Sequence, residues 1–133
     1  MTTEAPSLDA VVQAWILTMS TEVDPIIREE NFWAFEYIAS LENDKNSVDF
    51  LWAFILEVLN RNVSEKLLYT LAAGPLEELL CFHGESVIDR VEASANSDTK
   101  FANLLAGVWR SDMEQHVWER VGRALSDRPC LGA

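Results

Sequence analysis

Residues 47–60 read SVDFLWAFILEVLN, and this stretch decides the fold class. Phe50, Leu51, Trp52, Phe54, Ile55, Leu56, Val58 and Leu59 fall nearly all round a wheel drawn at 100° per residue. A helix that is apolar on every side needs neighbours on every side. Ser47 is a suitable N-cap, so the stretch predicts a central, enclosed helix from Val48 to about Asn60. Its apolar run contains Glu57 and falls short of the roughly 20 residues that cross a membrane.

Helix signals continue on both sides, and no alternating β-branched run competes with them. Upstream, Ser7 caps a helix from Leu8 to about Ser20, with Val11, Val12, Trp15, Ile16 and Met19 in 3.6-residue phase. Asp24 followed by Pro25 opens a second helix to about Leu41. Downstream, Ser64 caps a helix ending at Gly74, which is read as a left-handed stop. Pro75 starts a short helix, Leu76 to Phe82, which Gly84 stops, and another runs from Ser86 to Ala95. Ser97 or Asp98 caps Thr99 to Trp109, and Ser111 with Glu114 forms a capping box for a last helix to about Leu125. The expectation is an all-α, single-domain irregular bundle or small solenoid-like stack of seven to eight helices over residues 1–133, frayed at 1–6 and 127–133.

The net charge is −12, and it is unevenly placed. Residues 1–60 hold eleven acids against Arg28 and Lys45, whereas residues 61–133 hold eleven acids against eight bases. Such a field disfavours direct nucleic-acid binding and anionic membranes and attracts basic surfaces. The N-terminus lacks a basic region and a signal-peptide core, so cytoplasmic residence is expected. Cys81 and Cys130 lie far apart with no zinc-ligand spacing, and Cys81 reads as a small buried apolar residue.

Residues 71–109 read LAAGPLEELLCFHGESVIDRVEASANSDTKFANLLAGVW. Gly74-Pro75-Leu76-Glu77, Leu79-Leu80, His83-Gly84, Ile88, Glu92, Asp98, Phe101, Leu105 and Val108-Trp109 form a pattern there. This pattern resembles the core of a family of small bacterial proteins catalogued as a domain of unknown function. Trp15, Trp33 and Trp52 look like that family's weaker upstream half. The resemblance implies an all-helical fold and no settled activity, so no catalytic residue is carried over from it.

Local physics accounts for much of the pattern. Gly74-Pro75 makes a corner, Glu77 and Glu78 sit at a positive helix end, and His83 can donate to free carbonyls at a helix C-terminus. The chemical alternative is a carboxylate–imidazole site in which Glu78, His83, Glu85 and Asp89 converge around Gly84, as a weak metal site or a hydrolytic centre. His116 is remote in sequence, and no HExxH, nucleophile elbow or phosphate-binding loop occurs. No catalytic residue, cofactor or metal is therefore assigned. His116 and Trp118, beside Arg120 and Arg123, read as a packed last helix with a solvated basic edge.

The second helix carries the more informative pattern. Ile27, Ala34, Phe35, Ile38 and Leu41 fall on one side and predict its core face. Ile26, Glu29, Glu30, Trp33, Glu36 and Tyr37 fall opposite, and Glu22, Glu29 and Glu36 form a line seven apart. Aromatics anchor interfaces and acids steer basic partners. The competing account packs Trp33 and Tyr37 under another helix with the glutamates along its edge.

The expectation is thus an acidic protein-binding module, most simply an immunity or inhibitor protein that occludes a basic toxin or effector domain. Glu22, Glu29, Glu30, Trp33, Glu36, Tyr37, Asp44 and Asp49 would contact the partner. The alternatives are a small metal-dependent or hydrolytic enzyme centred on His83, or an acidic nucleic-acid mimic. Homo-oligomerisation is compatible with either kind of surface.

Overall fold

The computed structural model describes residues 5–126, and over that range its regular structure is helical, without strands. Residues 1–4, the expected frayed segment 127–133 and Cys130 lie outside the described residues. Helix α1 spans Leu8–Met19, α2 Pro25–Glu30, α3 Trp33–Leu41 and α4 Val48–Leu59. Helix α5 spans Glu65–Leu71, α6 Glu77–Ser97, α7 Thr99–Leu105 and α8 Gln115–Ser126. A 3-10 turn at Lys45–Ser47 leads into α4, and a π turn at Ala72–Leu76 joins α5 to α6. Counting the two halves of the second expected helix, α2 and α3, together, and α5 with α6 through the π turn, there are six helical units over the described residues, slightly fewer than expected.

Caps set most of the starts. Ser7 Oγ accepts from the Ala10 amide at 3.1 Å, and Ser64 Oγ from Leu67 at 3.1 Å. Asp24 and Asp98 accept from the amides two residues on, at 2.8 and 3.0 Å. Each such cap stabilises its helix by about 1 kcal/mol.

Helix α4 is the centre, as its sequence demands. Phe54, Ile55 and Val58 are fully enclosed, and α1, α6 and α7 pack around them. Trp15 of α1 meets Phe54 edge to face at 5.4 Å, and Trp52 lies 5.4 Å from Phe101 of α7. Burying each large apolar side chain contributes roughly 1.5–3 kcal/mol before chain entropy is subtracted. Helix α8 closes the far side against α6 through Val117, Val121 and Ala124.

Several local expectations are corrected. Gly74 is not a left-handed stop: the chain stays helical through the π turn, whose wider winding takes in Pro75. Proline lacks the amide an α-turn would use, and a locally wider turn accommodates it. Gly84 does not stop a helix either. Residues 77–97 form one helix, bent at His83 (φ −133°, ψ 27°), and Gly84 is buried against α8. Ser47 makes no cap to an amide. Its Oγ instead donates to Asp44 Oδ2 at 2.8 Å, and Asp44 Oδ1 accepts from Asn46 N at 3.0 Å. Ser111 occupies a turn at φ 48°, and α8 begins only at Gln115.

The second predicted helix is broken at Asn31–Phe32, where Asn31 Nδ2 donates back to the Ile27 carbonyl at 2.8 Å. The break changes the helical phase. Ala34 and Ile38 are buried as expected, but Ile27 and Phe35 face outward, and α2 buries no residue. Thr18 and Arg28 fasten α2 to α1 reciprocally: Thr18 Oγ1 donates to the Arg28 carbonyl at 2.8 Å, and Arg28 Nε to the Thr18 carbonyl at 3.3 Å.

Candidate protein-docking surface

The described residues include eight exposed large hydrophobic side chains, and five of them lie within ten positions: Ile26, Ile27, Phe32, Trp33 and Phe35. Scattered exposed apolar residues are ordinary, but here Phe32, Trp33 and Phe35 line one groove, with Ile26 and Ile27 exposed on the preceding helix. Phe32 and Phe35 stack at 5.2 Å with planes 19° apart, so an aromatic pair sits at the start of α3, next to the break. Trp33 is 40% exposed and Ile26 67% exposed. An open groove of about 610 Å³ runs beside Phe32, Trp33 and Phe35, lined also by Met19, Arg28 and the carboxylates Glu29, Glu30 and Glu36.

Acids outnumber bases along the groove, three glutamates to Arg28. Glu29, Glu30 and Glu36 are exposed and make no ion pair with any described residue. Arg28, the one cation in residues 25–41, lines the groove and donates through Nε to the Thr18 carbonyl. Acids left unpaired beside exposed aromatics act over the longest range on an approaching cation.

The other expected contact residues divide. Glu22 is exposed, but it lies in the turn before α2, so no continuous helical line joins it to Glu29 and Glu36. Tyr37 is half-buried and meets Phe50 of α4 edge to face at 6.1 Å, which makes it a packing residue. Asp44 is occupied by the turn into α4. The Asn46 amide and the Ser47 hydroxyl hold its carboxyl below the usual range. Asp49 pairs with Arg90 of α6 at 2.6 Å, an exposed bridge of small energy. A continuous helical wheel puts Ile27 and Phe35 on the buried side, and that reading assigns Phe32 to neither side. Asn31 was the available signal, since asparagine competes for backbone hydrogen bonds and breaks helices.

The residues grouped around Gly84 are not brought together. His83 Nε2 donates to the Glu42 carbonyl at 2.8 Å, tying the bend of α6 to the end of α3. Glu85 instead faces His116 at 3.1 Å, and Asp89 pairs with Arg120 at 2.7 Å. Glu78 lies toward Glu42, whose carboxyl is pushed up by burial and then by the Glu78 charge. A different trio does converge: Glu85, Glu114 and His116 present ligand atoms within 4.8 Å of one another, all exposed. His116 Nε2 faces Glu85 and its Nδ1 faces Glu114 at 3.3 Å. Each ring nitrogen of His116 thus faces a carboxylate, and the three groups form an exposed cluster where α8 packs on α6. Sequence spacing gave no hint of this trio, because Glu85 joins it only through the packing of α6 on α8. Burial pushes the Cys81 thiol up, away from the thiolate form that a nucleophile uses.

No helix among the described residues is long and apolar enough to cross a membrane. No curated protein and no solved structure matches the chain. A family model described as a family of unknown function (DUF6869) matches residues 21–128. That span takes in α2 through α8, with Trp33 and Trp52 but not Trp15. It contains both the acidic aromatic face and the residue 71–109 pattern, and the chain belongs to this family of unknown function.

Proposed function

We propose that the protein is a binding module that docks a positively charged protein on its α2–α3 face, and that it acts as an immunity or inhibitor protein by occluding a basic effector domain. One observation carries this reading. Five exposed large hydrophobics lie together on the segment whose glutamates have no ion-pair partner among the described residues. In such an interface Trp33 supplies the anchor, while Glu29, Glu30 and Glu36 raise the encounter rate. Occlusion requires no catalytic group, and the His83 ring is engaged in holding the Glu42 carbonyl.

The test measures association of the full chain with basic proteins encoded beside its gene, at low salt. The Glu29→Lys/Glu36→Lys variant should associate about tenfold more slowly, with dissociation little changed. Unaltered association would exclude this face.

A further inference from the structure

We propose that the cleft between α1, α3 and the π turn is an anchor pocket for one lysine or arginine side chain of the protein docked on the α2–α3 face. The proposal rests on the docking reading and deepens it by naming the group recognised. The cleft encloses about 360 Å³, at the low end of the roughly 300–1,000 Å³ of small-ligand pockets, which suits one side chain. Met19, Phe35 and Ile38 give it apolar walls, and Glu42 adds a carboxyl. Ala73, Gly74 and Pro75 of the π turn form the opposite edge with little bulk.

Three observations select a cation on an aliphatic stem. No lysine or arginine lines the cleft, and Glu42 makes no ion pair with a described residue. A purely apolar occupant would bury that carboxyl further without a partner, and an anion would be repelled. A lysine or arginine places its methylenes along the apolar walls and its charged head at the carboxyl. The second observation is continuity: Phe35 lines both this cleft and the groove on the α2–α3 face, so a docked partner reaches it without leaving the surface. The third is the surroundings of Glu42. Burial and the charge of Glu78 disfavour its ionised form, and a cation seated beside it would offset that by favouring the carboxylate.

The test is an NMR titration of the full chain with N-acetyl-lysine methylamide and N-acetyl-arginine methylamide, using N-acetyl-norleucine methylamide as the neutral control. The cationic probes should produce saturable shifts at the Ala73 and Gly74 amides. Norleucine should bind at least about fivefold more weakly, and Glu42→Gln should weaken the cationic probes by a similar factor. Near-UV circular dichroism checks that the variant is folded, and should it not be, the norleucine comparison on the unmodified chain decides. Absent shifts at residues 73–74, or equal binding of norleucine, overturn the pocket. If the pocket fails while Glu29→Lys/Glu36→Lys still slows association, the docking reading stands alone. If the cationic probes saturate the cleft but the lysine variant associates normally, the pocket stands and the α2–α3 face falls.

Discussion

Val117 of α8 lies where a side chain on Gly84 would have to go: a Cβ built on Gly84 would come within 2.8 Å of Val117 Cγ2 and 3.0 Å of Cγ1. The glycine is there for close approach of two helices, not for a turn. Gly84→Ala should destabilise the fold by about 1–3 kcal/mol through overpacking. Adding Val117→Ala should recover part of that loss, which a double-mutant cycle in urea would read as a coupling energy. Equal effects of Gly84→Ala in both backgrounds would mean that the contact is not the cause.

Gly74 supplies the contrast. An added Cβ there meets nothing within 4 Å, and the residue is helical. Gly74→Ala should leave stability unchanged or raise it by up to about 1 kcal/mol, since alanine loses less backbone entropy. A clear fall in thermal midpoint would restore a left-handed conformation at this position.

His83 Nε2 holds the Glu42 carbonyl across 41 positions. His83→Ala should cost about 0.5–1.5 kcal/mol and speed hydrogen exchange around residues 42–47, ahead of the rest of the chain. Uniform acceleration over the whole bundle would show instead that the ring supports the core.

Two neighbouring carboxyls should shift the pH profile of stability in opposite senses. The folded state holds Asp44 below its ordinary value, so its contribution is present above the unfolded pKa and is lost as pH falls through the lower folded one. Asp44→Asn should therefore lower stability at neutral pH and flatten the acid limb. Glu42 is held above its ordinary value, so folding is opposed once pH rises through the raised pKa. Glu42→Gln should raise stability at neutral pH relative to the parent, with the gain vanishing in acid. Denaturant midpoints across pH 3–8 would distinguish the two, and parallel profiles would contradict both assignments.

On the docking face, Trp33→Ala should weaken partner binding by about 2 kcal/mol or more, mainly through faster dissociation. Its effect should persist at high salt, unlike that of Glu29→Lys/Glu36→Lys, because buried apolar contact is not screened. A salt-sensitive Trp33 effect would place the residue in steering and not in anchoring.

Local patterning was enough to read the helical class, the central place of residues 48–59 and most helix starts. Those features depend on local periodicity and on side chains that cap amides two or three residues away. Outward placement of Ile26, Glu29, Glu30, Trp33 and Glu36 was legible in the same way. Where Ile27, Phe35 and Tyr37 point was not legible from periodicity, because the break at Asn31 resets the helical phase and the packing of α4 offers Phe50 to Tyr37. Only the tertiary structure decided that Glu85 meets His116 while His83 meets Glu42. Those pairings are set by which helices cross, and the glycine that permits one crossing looks, in sequence, the same as a glycine that ends a helix.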